Sequence, residues 1–272
     1  LRAFEPLKFQ LWTVRPDGTD AQLVVKDHLR ILGYQPSPLG WTAPPNFSWS
    51  SDGQRLFYIS DRSGAPQLCS IALDGLDERQ LGAPSETSPT EVRWKLSSPL
   101  PAPAGNRVLY QGWRSVAGRR QRALFLWSNG VTHLLWQTEL ANWRLLGWSA
   151  AGDAFYFATT AQQNFSQPHE TTLWRLDIQA PAAPRELGHM PQSYLQTFTL
   201  APDASRVAYV ARQNEADNVW LTPLGPGARR QLTTNSDSDL NLGCLTWSWQ
   251  GQQLSYTKQS QTDSIYVIEN FK

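Results

Sequence analysis

Short apolar runs recur along this chain: Leu56-Phe-Tyr-Ile59, Val108-Leu-Tyr110, Ala154-Phe-Tyr-Phe157, Val207-Ala-Tyr-Val210 and Leu254-Ser-Tyr256. A second set follows four of them: Leu124-Phe-Leu-Trp127, Leu173-Trp-Arg-Leu176, Val219-Trp-Leu221 and Ile265-Tyr-Val-Ile268. The runs are too short for helices, rich in aromatic and β-branched residues, and bounded by Gly, Asp, Asn and Ser, so they predict strands. Asp74-Gly75 and Asn129-Gly130 sit between third and fourth strand-like pieces, where a tight hairpin needs residues tolerant of positive φ. Arg79-Gln-Leu81 and Arg230-Gln-Leu-Thr233 then read as short fourth strands.

The units repeat. Aligning the turn positions Gly53, Gly105, Gly152, Ala204 and Gly251 gives spacings of 52, 47, 52 and 47 residues. A period near this length with four short antiparallel strands per unit predicts a β-propeller. One such sheet cannot bury both faces, whereas a ring of stacked sheets can. The expected fold is therefore all-β, one propeller domain over residues 1–272 built of four-stranded antiparallel blades. No apolar stretch has a helical period, and 13 Trp supply bulky contacts for blade packing. Phe9–Val14, Asp17-Gly18 and Ala21–Val24 look like the third and fourth strands of a blade. If they form their own blade there are six; if they complete the C-terminal one there are five. The 57 residues from Asp17-Gly18 to Asp74-Gly75 favour six.

The segment Trp49-Ser-Ser-Asp-Gly-Gln-Arg-Leu-Phe-Tyr-Ile-Ser-Asp-Arg-Ser-Gly64, continued through Asp74-Gly75 and Leu81, closely resembles the TolB-type propeller repeat. Ala201-Pro-Asp-Ala204 through Leu232-Thr233 resembles it too. Between Trp94 and Gln137 the motif is replaced by Ser98-Pro-Leu-Pro-Ala-Pro-Ala-Gly105. That family includes bacterial extracytoplasmic proteins and propellers attached to prolyl-oligopeptidase-like enzymes. The resemblance implies a propeller and a periplasmic or other extracytoplasmic placement in a bacterium. It does not imply the TolB role, because the domain preceding the TolB propeller is not expected in residues 1–272.

Composition narrows the picture further. The formal net charge of +1 makes no electrostatic demand for nucleic acid or a membrane surface. Arg119-Arg120-x-Arg122 and Arg229-Arg230 read as solvated hairpin turns. No segment is long and apolar enough to span a bilayer, and no leader peptide is visible. Cys69 and Cys244 fall in different blades and read as two buried thiols. Gly147-Trp-Ser149-Ala-Ala151 lacks the second glycine of a nucleophile elbow, so Ser149 reads as a turn residue. His28, His133, His169 and His189 have no partners at metal-ligand spacing.

The loops from the fourth strand of one blade to the first strand of the next ring one mouth of a propeller's channel. They place Glu86, Glu139, Asp237 and Asp239 in equivalent positions, with Tyr194 and Trp41 in or near the same class of loop. Such a rim suits a divalent cation or a basic segment of a partner. Inner-strand segments such as Leu146–Ser149 and Leu245–Trp249 are hydrophobic, with almost no acids. These observations predict a non-enzymatic protein-interaction or scaffold propeller without cofactor, metal ligands or catalytic residues. The alternative is a small-molecule binder or metal-dependent hydrolase at the channel mouth, or the accessory propeller of a peptidase-like enzyme. Trp49, Trp148 and Trp247 occupy equivalent turn positions and are expected to be buried alike.

Overall fold

In the repeated turn, backbone and side-chain hydrogen bonds close the same loop unit after unit. The amides of Ser50, Ala102, Ser149, Ala201 and Ser248 donate to the carbonyls of Arg55, Arg107, Ala154, Arg206 and Gln253 at 2.8–2.9 Å. Where serine is present its hydroxyl also accepts from the strand that follows: Arg55 N at 2.9 Å, Ala154 N at 3.1 Å and Gln253 N at 3.0 Å. Gly53, Gly105, Gly152 and Gly251 have φ between +68° and +79°, and Ala204 takes the same left-handed conformation at +53°. The spacing read from the sequence is thus a spacing of identical turns. Ser149 is committed to its turn, also donating to Asp153 Oδ1 at 2.6 Å.

The computed structural model describes residues 10–25, 36–37, 40–41, 47–84, 92–139, 142–161, 167–181, 183–248 and 250–260. Four complete four-stranded antiparallel units lie among them. Repeat 1 comprises Phe47–Trp49, Arg55–Ser60, Gln67–Ala72 and Arg79–Gly82. Repeat 2 comprises Lys95–Pro101, Arg107–Val116, Arg119–Ser128 and Val131–Thr138. Repeat 3 comprises Asn142–Trp148, Ala154–Thr160, His169–Asp177 and Arg185–Ser193. Repeat 4 comprises Thr199–Leu200, Arg206–Gln213, Ala216–Pro223 and Arg230–Gln231. Leu11–Thr13 pairs with Gln22–Val25 before these units, and Leu240–Trp247 with Leu254–Ser260 after them. The strand Ile265–Ile268, whose pairing separates six blades from five, lies outside the described residues.

Because side chains alternate across a strand, each second strand feeds two cores. Phe57 and Ile59 pack with Leu96, Val108 and Tyr110 of repeat 2. Leu56 and Tyr58 pack with Leu11, Val24 and Val25 of the N-terminal pair. Leu109 and Leu124 of repeat 2 meet Trp148, Phe155 and Phe157 of repeat 3. Val207 and Tyr209 face Leu173 and Met190 of repeat 3, while Ala208 and Val210 face Leu242 and Leu245 of the C-terminal pair. Every core straddles neighbours, which is the stacking expected of a propeller.

Indoles hook successive repeats together. Trp148 Nε1 donates to Leu100 O of repeat 2 at 2.8 Å, and Trp247 Nε1 to Thr199 O of repeat 4 at 3.3 Å. The preceding repeat also lays a guanidinium on each ring, Arg107 over Trp148 at 5.6 Å and Arg206 over Trp247 at 5.3 Å. Trp49 departs from the expectation of uniform burial. It is 48% exposed, against 7% for Trp148, and Trp247 is half-buried. The described N-terminal pair offers Trp49 no first strand to lie against. The two thiols also differ from expectation, since Cys69 is buried but Cys244 is exposed.

Trp148→Ala is expected to lower unfolding stability by about 3–5 kcal/mol, because it empties a packed aromatic site. Trp49→Ala is expected to cost about 1 kcal/mol or less, as exposed substitutions do. Equal losses in urea unfolding would refute the neighbour-dependent burial. Ala204→Gly is expected to stabilise by about 0.5–1 kcal/mol, since glycine removes the left-handed strain. Differential scanning calorimetry should show a small rise in Tm, and a fall would contradict the strained turn.

Candidate functional site at the axial opening

The first strands of repeats 1 to 4 end around one opening of about 300 Å³. Ser48, Trp49 and Ser51 come from repeat 1, and Leu100 to Pro103 from repeat 2. Leu146, Gly147 and Trp148 come from repeat 3, and Leu200, Ala201 and Pro202 from repeat 4. All of these are uncharged. Repeats 3 and 4 approach closely here, since a Cβ added to Gly147 would sit 2.9 Å from Leu200 Cδ2. Exposed Trp49 and prolines on the wall give the surface a stiff apolar part, beside the polar groups of Ser48, Ser51 and the backbone. This chemistry accepts an apolar or aromatic side chain; it supplies no general acid, base or metal ligand from the residues that line it.

The first strands also bulge. Register shifts fall between Leu109 and Gln111 against the first strand of repeat 2, within that of repeat 3, and between Gly243 and Thr246 in the C-terminal pair. Ser98 and Cys244 have φ of +57° and +49° within these strands. Such bulges re-aim side chains. Arg144, on the first strand of repeat 3, donates from Nε to Phe198 O at 2.8 Å, and burial lowers its pKa to about 10.

Glu139, Asp237 and Asp239, expected on an acidic rim, do not line this opening. They precede the N-terminal ends of first strands, whereas the opening lies at the C-terminal ends. Glu139 pairs with Arg119 at 3.5 Å, both well exposed. Asp237 Oδ1 accepts from Asp239 N at 2.9 Å, and Asp239 stands near Ser238 Oγ at 3.4 Å. Glu86 lies outside the described residues. Trp41 belongs to a two-residue hairpin pairing Pro36–Ser37 with Gly40–Trp41. No group of three or more His, Cys, Asp or Glu side chains gathers at metal-binding distance among the described residues.

Tyr194 is a correction. It was expected as a surface contact, yet it is 5% exposed and donates from its hydroxyl to Asp217 Oδ1 at 3.1 Å. Asp217 is 1% exposed and also meets Arg212 Nη1 at 3.3 Å and Leu242 N at 3.4 Å. Arg212 Nη2 donates onward to Ser238 O at 3.1 Å, and Asn235 N to Asn218 Oδ1 at 2.8 Å. Together these bonds tie the loop after repeat 4 down to its own blade. Burial pushes the Asp217 carboxyl above its ordinary value, and burial together with that carboxylate pushes Tyr194 up to about 12. The sequence signal for this knot was faint: a lone Asp among strand residues, two places after the Asn214-Glu215 turn.

No protein-family model matches the chain, and no curated protein matches it. Solved structures share the fold. TolB from Acinetobacter baumannii superposes with a TM-score of 0.55 at 16% identity, over 90% of this chain and 53% of that one. Oligogalacturonate lyase from Vibrio parahaemolyticus gives 0.57 at 11% identity, over 95% and 73%. An acylaminoacyl peptidase from Pyrococcus horikoshii gives 0.54 at 11% identity, over 88% and 36%. The chain thus spans about half the length of the TolB structure it matches. The likeness establishes a TolB-like propeller fold. It also corrects the expectation of a non-enzymatic chain, because a lyase and a peptidase share this architecture and the fold leaves catalysis open. No helix among the described residues is long and apolar enough to cross a membrane.

A pH dependence follows from Asp217. Its raised carboxyl pKa means that folding favours the protonated form, so its contribution to stability grows as pH falls through the folded-state value and is least at neutral pH. Asp217→Asn should therefore compare best with the parent near neutrality and lose ground as pH falls toward about 4. Urea unfolding at both pH values checks this; the opposite trend would mean that the Arg212 ion pair outweighs burial.

Proposed function

We propose that the chain is a protein-interaction propeller that presents its axial opening to a partner. The observation supporting this is the opening itself: uncharged, walled by prolines, and bordered by an indole far more exposed than its equivalent Trp148. Exposed aromatic area on a rigid frame favours association, because little conformational entropy is lost on binding. A volume of about 300 Å³ lies at the low end for ligand sites and suits a side-chain anchor from a protein segment. The repeat resemblance is the ground for expecting this partner outside the cytoplasm of a bacterium.

A photo-crosslinking amino acid placed at Ser51, beside the opening, is expected to capture a discrete partner in cells of the source organism. The same group at Val131, exposed on an outer strand, is expected to capture none. Trp49→Ala should reduce capture from Ser51 by about tenfold, as loss of an aromatic anchor does. Equal capture from both positions, or capture indifferent to Trp49, would defeat the proposal.

A further inference from the structure

Arg144 is a half-buried cation with no counter-charge among the described residues. Its Nε donates to the Phe198 carbonyl at 2.8 Å, and no carboxylate of those residues pairs with it. The ionisable group that acts on it is the thiol of Cys244. A guanidinium carries five N–H donors, so the four on its Nη atoms have no protein partner here, and those atoms are not sealed from solvent. Other half-buried arginines are provided for. Arg55, Arg175 and Arg212 each meet an aspartate, at 2.6, 2.7 and 3.3 Å, while Arg107 and Arg206 lie on indoles. Burial lowers the Arg144 pKa to about 10, as expected of a charge taken from water without compensation.

The repeat does not require an arginine at this place. Arg144 stands five residues before the turn residue Ser149. Counting back five from Ala102, Ala201 and Ser248 gives Ser97, Gln196 and Gly243, none of them charged. Arg144 and Phe198 also stand two residues ahead of Leu146 and Leu200, which line the axial opening. At the rise of an extended strand the cation lies about 6 Å inside that opening. Leu146 and Leu200 pack in one core with Phe198, so the way from the opening to the cation is apolar.

We propose that Arg144 binds the carboxylate of a small organic acid whose apolar body reaches Leu146 and Leu200. The free Nη edge can hold both oxygens of a carboxylate. One cation balances one negative charge, which favours a monocarboxylate over a phosphate dianion. An opening of about 300 Å³ suits a small ligand. A purely structural tie to Phe198 would use a single N–H and leave the charge unanswered. The site rests on Arg144, and stands or falls apart from partner docking at the rim.

Cys244 is a built-in reporter, since it is exposed while Cys69 is buried. The full chain is alkylated with iodoacetate or with iodoacetamide, reagents that differ by one carboxylate charge, and labelling at Cys244 is followed by peptide mass spectrometry. Arg144→Gln is expected to lower the iodoacetate-to-iodoacetamide rate ratio about tenfold, and Arg144→Lys to keep it within about twofold of the parent. In the parent, hexanoate at about twice its Kd should slow iodoacetate labelling about threefold, whereas hexanamide should not slow it. A short amidated peptide carrying one Glu should protect less than hexanoate. Circular dichroism checks the fold of each variant, and protection in the parent tests the site even where a variant does not fold. The proposal is overturned if a folded Arg144→Gln variant keeps the parent's rate ratio, if hexanamide protects as well as hexanoate, or if phosphate or the peptide protects better.

Discussion

Burial of each sheet by its neighbours is the constraint on which the rest of the structure depends. A four-stranded sheet of short strands has two apolar faces and no helix to cover either, so its second strand must send alternate side chains into two different interfaces. The indole hooks sharpen this dependence. Trp148 and Trp247 reach backbone carbonyls 48 residues back, and an arginine of the preceding repeat covers each ring. Stability at one repeat is therefore stability at an interface, as in other stacked repeats.

The same arrangement creates two unlike ends of the ring. At the C-terminal ends of the first strands, turns rich in proline and small residues converge on an uncharged opening. At their N-terminal ends, longer loops are pinned by polar networks, such as the knot of Tyr194, Asp217, Arg212 and Ser238. Repeat 2 departs from both patterns. It has lost the Trp-Ser turn, and its long central hairpin extends to the N-terminal end. A rigid ring can present such surfaces independently, because neither depends on a loop that must order first.

The period, the strand positions and the turn positions were legible in the sequence, even at Ala204 where glycine is absent, because they follow from local chemistry. A serine hydroxyl closing its own turn and a side-chain period of two act within a few residues. So does the turn role of Ser149, whose hydroxyl bonds to Asp153 and Ala154 close by.

Exposure was not legible, because it depends on what lies opposite. Trp49 and Trp148 occupy the same turn position, yet only Trp148 has a preceding first strand to rest on among the described residues. Tyr194 sits in a polar loop by sequence and in a buried knot by structure, since Asp217, 23 residues away, is brought beneath it. Glu139, Asp237 and Asp239 lie outside the strands, but which strand ends surround the opening is set by how the blades stack. Arg144 reads in the sequence as one more strand arginine; only the packing of repeat 3 on repeat 4 leaves it half-buried against the Phe198 carbonyl. Local sequence determined what each repeat is, and contacts across tens of residues decided which of its side chains meet water.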